Sequence, residues 1–259
     1  MTAVLEAQLC HGASSPVPES LLVVVAHPDD EAFGCGSVLA RAARMGMRTA
    51  VLCATRGELG EPAPGSGIVR ADLGRVREAE LRAGCGLLGV DRVDLLDFTD
   101  SGVSGDPVPG SLANADPVHV QELVAAHIDE LRPDVVVTLD ASDGHRDHAI
   151  MRDAMLAATT SVDGHQPDGA YLFCLARSLM TRFTGSQEYG TPDELITSEV
   201  DVSDLLDVRW RAIRAHASQV PPFDAMPPDL QYGFLATDRL RRVIPEGVVG
   251  RDLDLAWLY

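Results

Sequence analysis

Two short segments constrain the fold more than anything else in this 259-residue chain. Leu21-Leu22-Val23-Val24-Val25-Ala26 and Asp134-Val135-Val136-Val137-Thr138-Leu139 are nearly unbroken apolar runs, rich in β-branched residues. A strand with one wet face alternates polar and apolar residues. A run without alternation marks a strand covered on both faces, as in a parallel sheet between two helical layers. The rest of the chain supplies those layers. Residues 34–45 read as a helix, with Val38, Leu39, Ala42 and Met45 on one face, and 49–54 as a second strand. A Gly/Pro-rich loop over 55–68 leads to a helix over 71–88, a third strand over 92–96 and a helix over 118–131. The fourth strand, 134–139, is followed by a helix over 146–158, strands over 170–175 and 197–202, and a helix over 203–218. Pro221, Pro222, Pro227 and Pro228 break the tail into short pieces.

The expected fold class is therefore α/β: a Rossmann-like, doubly wound, mostly parallel sheet with strand order 3-2-1-4-5. Residues 1–20 carry no period and contain Ser14-Ser15-Pro16-Val17-Pro18, so they read as a flexible N-terminal extension, with 21–259 as one domain. In such a sheet strands 1 and 4 are neighbours at the switch point, and ligands bind beyond their carboxyl ends. Functional residues should follow those two strands.

They do. Strand 1 ends in Ala26-His27-Pro28-Asp29-Asp30-Glu31, and strand 4 in Asp140-Ala141-Ser142-Asp143-Gly144-His145-Arg146-Asp147-His148. These are the densest clusters of His and carboxylate in the chain. One acidic strand-end loop can serve merely to cap a helix, but two such clusters meeting at the switch point make a site. A His and an Asp three residues apart, with a His from the neighbouring loop, form a three-ligand set. Such a set leaves a fourth position for water, the arrangement of a catalytic rather than a structural zinc centre. The adjacent Asp29 and Asp30 do not share a face, so one can bind metal while the other handles a proton.

Charge narrows the partners. The chain carries 39 acidic residues against 21 basic ones, all Arg, for a formal net charge of -18. That field repels nucleic-acid phosphates and anionic membranes, and the longest apolar run is far too short to span a bilayer. The first basic residue is Arg41, so no signal peptide is expected. Five Cys without a CxxC pair argue against a disulfide framework and for a reducing, cytoplasmic location. The expected partner is a small molecule; oligomeric state stays open, a homo-oligomer included. Gly34-Cys35-Gly36 begins a dinucleotide-type glycine motif, but Leu39 replaces its third Gly and three acidic residues precede it, which excludes a pyrophosphate. Arg56, Arg70, Arg75 and Arg77 form a basic island that suits either a polar or anionic substrate or a solvated helix face paired with Glu78 and Glu80. His216 and Gln219, one turn apart, either line the pocket or cap the last helix.

These motifs resemble the PIG-L/LmbE family of zinc-dependent deacetylases, with A-H-P-D-D-E after strand 1 and H-x-D-H after strand 4. The likeness extends to Thr55-Arg56-Gly57-Glu58, Arg77-Glu78-Ala79-Glu80-Leu81 and Ala215-His216-Ala217-Ser218-Gln219. It implies an LmbE-like fold, a metal held by His27, Asp30 and His148, and Asp29 as general base. It further implies that His145 stabilises the oxyanion or protonates the leaving amine, that Asp147 orients His145, and that Arg77 faces the substrate. Thr99-Asp100-Ser101-Gly102-Val103 is similar to the R-D-S-G-M stretch of the mycothiol branch, where the residue matching Asp100 contacts sugar hydroxyls. Ser142-Asp143-Gly144 stands where that branch carries a Tyr. The expected activity is hydrolysis of the amide of an N-acetylated amino sugar or similar metabolite by metal-activated water. Zn²⁺ is the implied cofactor, although two His and a carboxylate also accept Fe²⁺, Co²⁺ or Ni²⁺. The alternatives are an amidase acting on a thiol conjugate or natural-product intermediate, and a non-enzymatic ligand-binding module of the same fold.

Overall fold

The computed structural model describes residues 17–161 and 164–246. Residues 1–16 of the expected extension lie outside the described residues, and Ser20 already belongs to the first strand. In chain order the elements are β1 (Ser20–Val25), α1 (Asp30–Phe33), α2 (Gly36–Arg44), β2 (Arg48–Thr55), α3 (Leu73–Leu88), β3 (Arg92–Phe98), α4 (Pro117–Leu131) and β4 (Val135–Leu139). They continue as α5 (Arg146–Thr160), β5 (Gly169–Phe173), α6 (Arg177–Thr184), β6 (Ser198–Asp201), α7 (Leu206–Ala215), α8 (Pro228–Leu235) and β7 (Thr237–Ile244).

β1 is buried along its whole length and serves two cores. Leu21, Val23 and Val25 pack with Val38, Leu39, Leu81 and Ile213 from α2, α3 and α7 on one face of the sheet. Leu22 and Val24 pack with Val120, Val124, Met151 and Met155 from α4 and α5 on the other. This two-sided burial is what the unbroken apolar run requires. The sheet order is β3-β2-β1-β4-β5-β7-β6, and the first five strands are parallel. The expected order 3-2-1-4-5 is thus present, extended by two strands. Among the described residues no helix is long and apolar enough to cross a membrane.

Three local features differ from expectation. The helix read over 34–45 is present as α2, and a separate short helix, α1, precedes it unforeseen; between the two Gly34 lies against β4, where an added Cβ would sit 2.6 Å from Leu139 Cδ2. The broken tail contains a full strand, β7, antiparallel to both β5 and β6. Its Asp, Arg and Thr residues hide the strand pattern, and pairing supplies the missing partner, Arg239 meeting Glu199 across the ladder at 2.9 Å. Helices α6 and α8, also unforeseen, cover this end of the sheet.

Candidate active site

β1 and β4 pair in parallel from Leu21–Val135 to Val24–Thr138, so their following loops open on one edge. After β1, Asp30 fixes the turn: its Oδ2 accepts the His27 N–H at 2.8 Å and the Ala26 N–H at 3.2 Å. Its Oδ1 faces the other loop. There His145 caps α5, its Nδ1 accepting the Asp147 N–H at 3.2 Å, and His148 follows one turn in. The caps place three donors together. His27 Nδ1 lies 3.3 Å from His148 Nε2, His148 Nε2 lies 3.2 Å from Asp30 Oδ1, and His27 Nδ1 lies 3.6 Å from Asp30 Oδ2.

Those separations fit a metal. Two bonds of about 2.0–2.1 Å at a tetrahedral angle put their donor atoms about 3.3 Å apart. The tautomers agree. His148 Nδ1 is 2.7 Å from Asp143 Oδ2, and His27 Nε2 is 3.2 Å from Asp147 Oδ2. Each carboxylate takes the proton-bearing nitrogen of its neutral imidazole and leaves the facing nitrogen a lone pair. Two other groups share His27, with His145 and His148 or with Asp100 and Asp147, their atoms lying within 4.8 Å of one another. They fit less well, since the His145 Nδ1 is committed to the helix cap. Asp100 accepts from Gly102 and Leu59 N–H, and Asp147 from Ser101 N–H.

The electrostatics show the same demand for positive charge. Burial alone would lower the imidazole of His27, yet hydrogen bonds to Asp100, Asp147 and Asp30 hold it well above its ordinary value. Burial likewise opposes charge on His148, and Asp30 and Asp143 still raise it to about 10. Asp30 is held low against its burial by His148 and His27.

Asp29 stands apart. It has a left-handed backbone, φ 121 and ψ -27, in a region that a non-glycine residue occupies at a cost of about 1–3 kcal/mol. Its N–H donates to Glu31 Oε2 at 2.9 Å, and Glu31 Oε1 meets His216 Nε2 at 2.7 Å. Arg77 Nη2 donates to Asp29 Oδ2 at 2.9 Å and to the Pro28 carbonyl, and Nη1 donates to the Gly57 carbonyl at 2.7 Å. Burial pushes the Asp29 carboxyl up to about 6, with Arg77 pulling it down and Asp30 adding to the rise.

The structure therefore gathers His27, Asp29, Asp30, Asp100, His145, Asp147 and His148, but several contacts differ from those implied by resemblance. The Asp147 carboxylate faces His27, and only its backbone N–H reaches His145. Arg77 is buried against Asp29 rather than turned to open space. Asp100 lies 3.5 Å from His27 Nε2 and is committed to loop N–H groups, so it supports the site wall. His216 is buried on Glu31 and does not line an open pocket. Arg56 pairs with Glu78 at 2.9 Å and Asp97 at 3.2 Å, away from the donors. Nothing in the motifs assigned Asp143 or Glu31 a part. The signal for Asp143 was its place five residues before His148; for Glu31 it was a third acid in a motif that needs two.

Residues 22–159 match the family described as GlcNAc-PI de-N-acetylase, PIG-L. A protein named 1D-myo-inositol 2-acetamido-2-deoxy-alpha-D-glucopyranoside deacetylase from Kineococcus radiotolerans is 33% identical, over 78% of this chain and 69% of its own. Among solved structures, an N,N′-diacetylchitobiose deacetylase from Pyrococcus horikoshii superposes with a TM-score of 0.64 at 18% identity, covering 87% of this chain and 84% of that one. A 4-carboxy-2-hydroxymuconate hydratase from Pseudomonas putida KT2440 does so with a TM-score of 0.63 at 20% identity, covering 90% and 99%. A deacetylase and a hydratase share this backbone, so these two likenesses speak for the fold alone.

Proposed function

The chain belongs to the PIG-L family of de-N-acetylases, and from that premise we propose that it hydrolyses the amide of an N-acetylglucosamine-type substrate. The observation that carries the reading is the convergence of His27 Nδ1, Asp30 and His148 Nε2 at separations of 3.2 to 3.6 Å. These residues would hold a divalent ion, zinc by donor type, which when bound lowers the pKa of water towards neutrality and polarises the acyl carbonyl. In the hydrolysis, water oxygen adds to the acyl carbon, the C–N bond breaks, and the amine leaves with the proton. Asp29 accepts the proton of the attacking water; Arg77 keeps its carboxylate ionised and aimed. His145, with Nδ1 engaged by the helix cap, presents Nε2–H as a hydrogen-bond donor to the developing oxyanion, and the proton taken up by Asp29 passes to the leaving nitrogen. Asp147 and Asp143 hold the tautomers of His27 and His148. The described cysteines are buried free thiols, in keeping with the cytoplasm as the proposed location.

The test is acetate release from N-acetylglucosaminyl-inositol and from N-acetylglucosamine, with metal measured in the same samples. About one divalent ion per chain, loss of activity on chelation and its return with zinc support the reading. Full activity in metal-free protein defeats it.

A further inference from the structure

The donor cluster borders an apolar cavity that the reaction just described does not use. The cavity has a volume of about 270 Å³. Phe33, Phe173, Phe183, Phe223, Phe234 and Met226 form its walls, and Asp30, Asp143 and His148 stand at its polar end. Among the described residues, His27, Asp29, Asp100 and His145 are absent from its lining. The groups proposed as base and oxyanion donor thus stand outside the cavity that the phenyl rings enclose, while two of the proposed metal ligands, Asp30 and His148, border it.

Resting on the deacetylase reading, we propose that this cavity is an acyl-chain subsite and that the enzyme takes N-acyl amino sugars whose linear acyl group is longer than acetyl. A substrate with its carbonyl at the donor cluster has two arms. The amine arm must meet the proton taken up by Asp29, which stands outside the cavity, and its sugar hydroxyls would lose water among phenyl rings with nothing to replace it. The acyl arm leaves from the opposite side of the carbonyl carbon, towards Asp30, His148 and the rings behind them. An acetyl methyl occupies only the mouth of a cavity this large. Half of the lining residues, four of the five Phe among them, follow position 159, beyond the segment that matches the family. The chemistry and the chain-length choice therefore come from different parts of the sequence. Water supplies the oxygen of the released carboxylate, the C–N bond breaks, and the amino sugar leaves protonated.

The experiment compares N-acetyl-, N-butyryl-, N-hexanoyl- and N-octanoylglucosamine with the zinc-loaded enzyme. Each added methylene that enters the cavity should raise kcat/KM about fourfold until the cavity is full. Met226→Trp, and if the first fails to fold Met180→Trp, at another residue of the cavity lining, should cut the hexanoyl-to-acetyl ratio at least tenfold by filling the space. Hydrolysis of the acetyl compound with kcat/KM falling along the series overturns the subsite and leaves the deacetylase standing. So does a long-chain preference that both tryptophans leave intact. If no compound is cleaved, the deacetylase reading fails, and calorimetric titration with acetate, butyrate and hexanoate decides the cavity by itself. Affinity that rises about fourfold per methylene and is lost in the tryptophan variants supports it; equal affinities overturn it.

Discussion

Two buried Arg–Asp pairs sit at the two ends of α1, and they are built for different tasks. Arg209 and Asp238, at 1% and 0% exposure, close on themselves. Arg209 Nη1 meets Asp238 at 3.1 Å, Ser37 Oγ at 3.2 Å and the Leu235 carbonyl at 3.0 Å. Its Nη2 takes the carbonyls of Phe33 and Gly34 at 2.6 and 2.9 Å, and Ser37 Oγ donates back to Asp238. The pair ties α7 to β7 and to the break between α1 and α2. Arg77 and Asp29 are nearly as buried, and burial raises the carboxyls of both aspartates, that of Asp29 to about 6, yet Asp29 has only one oxygen on Arg77 and an awkward backbone. One pair has used all of its carboxylate; the other holds half of it in reserve. The residue types are the same, and what remains unbound separates the fastener from the proposed base.

The comparison breaks if the two aspartates respond alike to substitution. Asp29→Asn should lose roughly 10²- to 10⁴-fold in kcat, the worth of a general base, with metal content unchanged. Asp30→Asn should instead lose metal first and recover part of its activity in excess zinc. Zinc rescue of the position 29 variant and not of the position 30 variant would reverse the two roles. Stability should run the other way. Asp238→Ala leaves a buried guanidinium unpaired and should cost about 3–5 kcal/mol in urea unfolding, with metal stoichiometry intact in the folded fraction. Asp29→Asn should cost nothing in the metal-free protein at neutral pH. The Asp29 carboxyl is raised on folding, so its ionisation opposes the folded state above the unfolded-state value. A melting-temperature gain should therefore be present at pH 7 and vanish as the pH falls below about 4, where both states are protonated.

The smallest effect sharpens the comparison most. Removing the Arg77 charge with Arg77→Gln raises the Asp29 value further, because that charge favours the carboxylate. The acid limb of kcat/KM should move to higher pH while the alkaline limb stays. A uniform fall in rate with no shift would make Arg77 a fastener like Arg209.

The catalytic sequence clusters were legible because local geometry makes them so. An unbroken apolar strand announces its own burial, and the switch point follows from strand order, so the His27–Glu31 and Asp140–His148 clusters could be brought together without coordinates, while the choice of His148 as the third ligand came from the family resemblance. The partners were not legible. Asp100, Asp143 and Asp147 all lie near the imidazoles, and only the packed loops decide that Asp147 takes His27, Asp143 takes His148 and Asp100 takes backbone N–H groups. Glu31 and His216 are 185 residues apart, and no period connects them. β7 was hidden for a related reason: its Arg239 finds its acid, Glu199, on a strand that the sequence does not mark as a neighbour.

The left-handed backbone at Asp29 also sets a direction for evolutionary drift. Glycine adopts such a conformation without penalty, and asparagine comes next. Either replacement relieves the backbone or the buried charge and would end the proposed proton transfer. On that proposal, selection for turnover is what would keep an aspartate there. In a lineage of this fold that has turned to binding alone, position 29 should relax to glycine or asparagine before the apolar core changes. The backbone angle of one residue thus makes its identity a record of whether the lineage still catalyses.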